Sequence, residues 1–172
     1  MNRLTAFAPV FLIVMFSCMN KSSESNLEVI QKQQSMEEIN KSVVLSWLNE
    51  VNRDNYEVLF DELWTKSSKQ YFNSSSIPIE YDDFKEMVYN LYEQMPIIKH
   101  EVYDIIAKED KVIVRFSANV LHDTLMFGVP ATGKEIVWNA IAIFQLSDGK
   151  IQNRWEVTDE LGKLDQLGMK LN

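Results

Sequence analysis

The sequence predicts an α+β fold in which three N-terminal helices are followed by an antiparallel sheet. Two patterns carry this prediction: apolar residues recur with a helical period as far as Met95, and they alternate with polar residues after Pro96. The chain has 172 residues, of which 46% are hydrophobic, so it has the size of one domain and enough apolar surface for a packed core.

The first 17 residues have the character of a secretory signal peptide. Arg3 is their only charged residue, and the run from Leu4 to Ser17 is almost wholly apolar. That run is shorter than the roughly 20 residues that a membrane-spanning helix needs. Cys18, the only cysteine, follows directly and resembles the acylated cysteine of a bacterial lipoprotein signal. An uncleaved N-terminal anchor with an incidental cysteine is the alternative.

The chain is therefore predicted to be exported and anchored in a bacterial membrane through lipid on Cys18. Residues 18–34 are mostly polar and are predicted to tether the lipid to a domain at residues 35–172. The chain carries 25 acidic against 17 basic residues, without a basic cluster. This balance argues against nucleic-acid binding and leaves a neutral or cationic ligand open.

Three helices are predicted before Pro96. The first covers residues 35–51, and its first four residues have capping-box spacing. The second begins after Asn55 and is followed by a polar loop at residues 66–76. The third begins near Asp82 and ends at Pro96, which cannot continue a helix.

Four strands are predicted after Pro96. The first places Ile98, His100 and Val102 on one face, and the second buries alternate residues, Phe116 among them. The third strand, from Glu135 to Leu146, is apolar on both faces, which indicates burial on both sides and a homodimer as the assembly. The fourth follows a hairpin turn at residues 147–150.

The last strand carries the candidate chemistry. Strict alternation places one set of its residues on the apolar side: Ile151, Asn153, Trp155, Val157 and Asp159. The alternate residues are polar and are expected to face water. A carboxylate on the apolar side must be paired or have a raised pKa. By the same alternation, His122 and Trp138 belong to the inward faces of their strands, so an aspartate, a histidine and indole rings are expected to line one concavity.

Four short segments, in this order and spacing, resemble the SnoaL-like polyketide cyclases, also called ester cyclases: Gly128–Lys134, Asp148–Ile151, Trp155–Asp159 and Gln166–Gly168. The resemblance covers about residues 40–168. It implies the nuclear-transport-factor-two-like fold, a cone made by a strongly curved antiparallel sheet closed by three helices, with an internal cavity. Ketosteroid isomerases and limonene epoxide hydrolases look similar in architecture, so the fold alone names no reaction.

The resemblance implies site residues as well. Asp159 matches the aspartate that acts as general acid/base in aldol ring closure, and His122 matches a histidine that is frequent before the Gly-x-Pro loop. Two positions depart from the family pattern: Phe72-Asn73-Ser74 stands where many members have a histidine, and Phe144 replaces a common arginine. Ligand contacts are expected from Phe116, Trp138, Asn153 and Trp155.

Structural roles for the same residues stay open. Asp159 is a favoured N-cap type before a helical segment, and His122 stands at a strand end. His100 fits a core or edge position, and the tryptophans fit a core. Two histidines without ligand spacing and no glycine-rich phosphate loop lead us to expect neither metal nor cofactor.

The predicted function is a lipid-anchored domain that binds a hydrophobic small molecule, with Asp159 as proton-transfer group if it is an enzyme. A non-catalytic binding or assembly module of the same fold is the alternative. A purely structural envelope lipoprotein would instead have a filled cavity.

Overall fold

The structure is a computed structural model that describes the backbone of residues 10–169 and the side chains of residues 25–169. The chain divides into two compact units, one ending at Met36 and the other beginning at Glu37. Within residues 10–169, none of the helices combines the length and the apolar character needed to cross a bilayer.

The first unit contains the N-terminal part of α1, the helix Val10–Glu50. Residues 18–34, predicted as a tether, are helical here, and Leu27, Val29 and Ile30 are exposed. The predicted signal peptide and the side chain of Cys18 lie outside the described side chains. Cleavage, lipidation and anchoring therefore stay predictions.

The second unit is a mixed α+β domain. After α1 its elements are, in chain order, α2 (Tyr56–Leu63), β1 (Trp64–Phe72), β2 (Ile79–Glu80), α3 (Tyr81–Gln94), β3 (Ile98–Lys108), β4 (Lys111–Leu121), β5 (Glu135–Ser147), β6 (Lys150–Thr158) and α4 (Glu160–Gln166). The four predicted strands correspond to β3–β6. The predicted order of three helices and then the sheet is not what the chain forms, because one 41-residue helix opens it and β1 and β2 separate α2 from α3.

Strand β1 corrects the loop predicted at residues 66–76. Its sequence is polar, yet Ser68 and Gln70 are fully buried while Lys66 points to solvent. The strand lies between β2 and β6 in the sheet, so both edges of its backbone are hydrogen-bonded. Pairing on both sides, rather than side-chain hydropathy, makes this segment a strand.

The sheet has six strands in the order β2-β1-β6-β5-β4-β3. All neighbouring strands pair antiparallel except β1 and β6, which are parallel. The prediction of a wholly antiparallel sheet is therefore wrong at this one pair. A parallel pair needs a long connection, and the chain between residues 72 and 150 provides it by forming α3 and four strands first.

The core lies between the helices and the inner face of the sheet. Aromatic rings dominate it: Trp47 contacts Phe60 and Trp64, each at 5.0 Å between ring centroids, and Phe84 lies 5.4 Å from both Phe60 and Trp64. All four contacts are edge-to-face, a geometry that aromatic quadrupoles favour. This aromatic cluster adjoins the cavity described below, because Trp47 and Phe84 also line that cavity.

Candidate functional site

A cavity of about 380 Å³ lies between the helices and the inner face of the sheet. Most of its lining is apolar: Trp47, Leu48, Val51, Phe72, Ile79, Phe84, Met87, Val88, Leu91, Ile98, Phe116, Ala118, Phe127 and Trp138. The polar lining is Asn73, Tyr92, His100, Arg154, Glu156, Thr158, Glu160 and Lys163. All six strands and three of the helices contribute to it.

An irregularity near the start of β6 decides which residues face this cavity. Leu146 pairs with Ile151, but the preceding Gln145 pairs with Asn153, so β6 contains one residue more than β5 here, Gln152. An extra residue of this kind shifts the alternation of every residue after it. Arg154 is consequently 7% exposed, whereas Val157 is 63% exposed.

The predicted facing of β6 is therefore wrong beyond Ile151. Trp155 lies on the outer face, where it stacks on Tyr71 at 5.5 Å, and Asn153 donates from Nδ2 to Gln145 Oε1 at 3.0 Å. Neither of these two predicted ligand contacts is part of the cavity wall.

Arg154 and Glu156 form a buried ion pair on the cavity wall. Arg154 Nη2 lies 3.3 Å from Glu156 Oε2, and both side chains are largely shielded from water. The guanidinium stacks over Phe72 and Phe84, 4.8 and 4.9 Å from the ring centroids. Burial lowers the pKa of Arg154, but a guanidinium starts so high that it stays charged. Its Nε has no hydrogen-bond partner among the described residues.

His100 lies on β3 and faces the same cavity. Its Nδ1 is 2.7 Å from the carbonyl oxygen of Leu48, in the last turn of α1, and its ring packs edge-on against Phe116 at 5.5 Å. Burial lowers the pKa of His100, and the positive charge of Arg154 lowers it further. The imidazole is therefore neutral at neutral pH.

A second ion pair lies where α4 meets the cavity. Lys163 Nζ is 2.7 Å from Glu160 Oε2 and sits over the rings of Phe127 and Trp138, 4.9 and 5.3 Å from their centroids. Lys163 is 7% exposed, so its charge is held by the carboxylate and by aromatic faces rather than by water.

Tyr92 is a polar lining residue whose hydroxyl already has a hydrogen-bond partner in the protein. Its hydroxyl donates to the carbonyl oxygen of Val51 at 3.0 Å, and burial raises its pKa to about 12. It therefore stays protonated and ties α3 to the end of α1.

Asp159 is not where alternation predicts it. It is exposed, and it is the N-cap of α4, where its Oδ1 accepts a hydrogen bond from Gly162 N at 2.9 Å. The structural alternative, a capping aspartate, agrees with this geometry. The predicted role as general acid/base stays a prediction, without support from its position.

His122 is 1% exposed and packs within the loop that follows β4. Its Nε2 lies 3.2 Å from the carbonyl oxygen of Val129, and its Nδ1 lies 2.9 Å from Thr132 Oγ1. A carbonyl oxygen only accepts, so Nε2 donates to it and Nδ1 accepts from the threonine hydroxyl. Both ring nitrogens are thus engaged in holding the loop, and His122 does not line the cavity.

Of the predicted ligand contacts, Phe116 and Trp138 do line the cavity. Sequence reasoning missed Arg154, Glu156 and Thr158, because nothing local to residues 150–158 reveals the extra residue in β6. The sequence did contain a signal that His100 faces inward, because alternation places it on the same strand face as Ile98 and Val102.

Solved structures share this architecture. A protein from Jannaschia sp. CCS1 classed with the SnoaL-like polyketide cyclases is 22% identical with a TM-score of 0.69, over 78% of this chain and 95% of that one. IdmH from Streptomyces antibioticus, classed with the polyketide cyclases, is 20% identical with a TM-score of 0.67, over 76% and 99%. A phenazine biosynthesis-related protein from Pseudomonas aeruginosa is 17% identical with a TM-score of 0.65, over 83% and 94%.

These likenesses show the fold. No functionally curated protein matches the chain. The family model described as SnoaL-like polyketide cyclase matches residues 42–167, which is most of the chain and nearly the range of the resemblance found in the sequence. The chain therefore belongs to the SnoaL-like polyketide cyclase family.

Proposed function

We propose that this protein binds a neutral, largely apolar small molecule in the cavity of its SnoaL-like domain. The observation that carries the proposal is the cavity itself, a mostly apolar space of about 380 Å³ with a few polar groups on its wall. Small-molecule sites are typically concave, apolar and of this order of size, with a small number of polar groups that orient the ligand.

The charges on the wall favour a neutral ligand. Arg154 is paired with Glu156, and Lys163 is paired with Glu160, so the two cations and two carboxylates cancel. A charged ligand would enter this low-dielectric space without finding an unpaired counter-charge, at a high cost in desolvation.

The predicted cone is part of this proposal. It is supported by residues from β3 at one edge of the sheet and from β1 near the other, which contribute to one cavity. Three register irregularities, in β1–β6, β3–β4 and β5–β6, are places where such a sheet can bend.

A lipid anchor at Cys18 also belongs to the proposal, motivated by the apolar run before it. It would hold the domain at the bacterial cell envelope. Equal labelling of wild type and Cys18→Ser by an acyl-chain probe in cells would contradict it.

Cyclase-type catalysis is the second candidate, and family membership is the observation that favours it. The exposed, capping position of Asp159 speaks for the non-catalytic alternative. Binding is common to both candidates and is tested first.

The test uses three naphthalene probes that differ in charge: neutral 2-methoxynaphthalene, anionic 2-naphthoate and cationic 2-naphthylmethylammonium. We expect the neutral probe to bind at least about tenfold more tightly than either ion, because each ion loses its hydration without gaining an unpaired counter-charge. Ala118→Leu fills the cavity from β4 and should abolish binding, whereas Asn139→Leu, on the exposed face of β5, should leave it unchanged. Binding that Ala118→Leu does not weaken would place the ligand elsewhere.

A further inference from the structure

His100 is held in one tautomer by the end of α1. Its Nδ1 lies 2.7 Å from the carbonyl oxygen of Leu48, and an oxygen of this kind only accepts, so Nδ1 carries the proton. Leu48 is two residues from the end of the helix at Glu50, where carbonyl groups have no partner within the helix. The backbone therefore dictates which ring nitrogen is protonated.

The other nitrogen, Nε2, is an acceptor in this tautomer. The ring lines the cavity, and Nε2 makes no hydrogen bond to any described residue. Burial and the nearby guanidinium of Arg154 both oppose protonation, so the acceptor form persists at neutral pH.

The charged groups on the wall do not offer a proton to this nitrogen. Arg154 and Lys163 are each held by a carboxylate, and the Tyr92 hydroxyl is donated to Val51. An acceptor on this mostly apolar cavity wall that has no donor among the described residues is open to a ligand, so a ligand that brings its own donor gains affinity. The donor has to be uncharged, because the guanidinium of Arg154 repels a cationic one.

We propose that Nε2 of His100 accepts a hydrogen bond from a ligand hydroxyl, so that the cavity selects hydroxylated ring compounds over their ethers. This inference rests on the proposed function, since it names the chemistry by which the same cavity chooses its ligand. It assigns His100 to ligand recognition, a position for which the sequence favoured a core or edge role.

The experiment compares 2-naphthol with 2-methoxynaphthalene, which differ only in the hydroxyl proton and its methyl replacement. Wild type is expected to prefer 2-naphthol. In His100→Asn the side-chain amide nitrogen takes the place of Nδ1 toward Leu48 while Nε2 is lost, so the ratio of the two affinities should fall by about tenfold. Lys99→Asn, on the same strand with its side chain exposed, is the matched control and should keep the wild-type ratio.

The outcomes separate the two proposals. Binding of both probes with the same ratio in wild type and His100→Asn overturns the hydroxyl assignment and leaves the binding function intact. Failure of wild type to bind either probe overturns the binding function, and the assignment with it.

A measurement on wild type alone covers the case in which His100→Asn does not fold. The ring ¹⁵N chemical shifts of His100 should show a proton on Nδ1 and none on Nε2 at neutral pH. A proton on Nε2 overturns the assignment, whatever the variant does.

Discussion

Asp159 stabilises the start of α4 through one hydrogen bond, from Gly162 N to its Oδ1 at 2.9 Å. Gly162 permits this close approach, since a Cβ there would collide with the Asp159 carboxylate. The position is exposed, so the bond acts as an ordinary helix cap.

We expect Asp159→Ala to lower the free energy of unfolding by about 1 kcal/mol, because the amide of Gly162 loses its acceptor. Asp159→Asn keeps a side-chain oxygen at the same place and should cost much less. Urea denaturation of the three proteins measures the difference. An Asp159→Ala variant as stable as wild type would show that the cap contributes nothing.

At the scale of elements, the end of α1 and the middle of β3 are joined by the hydrogen bond from His100 to Leu48. The same burial that favours this bond disfavours a charge on the ring. Folding and protonation of His100 are therefore linked.

The sign of the linkage follows from the direction of the shift. In the folded protein the pKa of His100 is lowered below the ordinary 6.5, so between the two values the unfolded chain binds more protons. The stability that the neutral ring contributes is complete above about pH 6.5 and is lost as the pH falls toward the folded pKa. The pKa values of Asp61 and Asp110 are lowered below the ordinary 3.8. The stability that these two carboxylates contribute is therefore lost only below about pH 3.8, well away from the range in which His100 titrates.

We expect wild type to lose more stability between pH 7.5 and pH 5.5 than His100→Asn does, because the variant lacks the titrating ring. Urea denaturation at a series of pH values gives the comparison, with Lys99→Asn again as control. Parallel stability profiles for wild type and His100→Asn would show that this ring is not desolvated in the folded state.

At the scale of the whole molecule, the outer face of the sheet carries several exposed apolar side chains in the single chain. Ile113, Ile141, Trp155 and Val157 are 43%, 51%, 37% and 63% exposed, and they lie on the three adjacent strands β4, β5 and β6. The third predicted strand is thus buried on one face only within one chain. A contiguous exposed apolar surface of this kind is typical of a binding interface.

We expect a homodimer through this face, in which Ile141 becomes buried. Sedimentation of wild type at micromolar concentration should give twice the mass of the chain, and Ile141→Lys should give a monomer, because it would bury an unpaired ammonium group. Ile106→Lys replaces another exposed isoleucine, on the edge strand β3, and serves as control. A monomeric wild type would rule the interface out.

Several features of this molecule follow from the sequence alone. The change of period at Pro96 predicts the boundary between α3, which ends at Gln94, and β3, which begins at Ile98. The alternation in β4 predicts its buried face. The short motifs within residues 40–168 predict the family, which the family-model match at residues 42–167 shows. These features depend on local hydropathy and short motifs, which a sequence displays directly.

Only the tertiary structure decided the makeup of the cavity wall. A polar segment becomes β1 because two neighbouring strands take up its backbone groups, and Arg154 turns inward because pairing with β5 leaves Gln152 as an extra residue. More than a hundred residues of sequence separate Leu48 from Arg154. They line the same cavity as His100 only because α1, β3 and β6 surround one space. Register and burial are properties of paired elements, so hydropathy along one strand does not contain them.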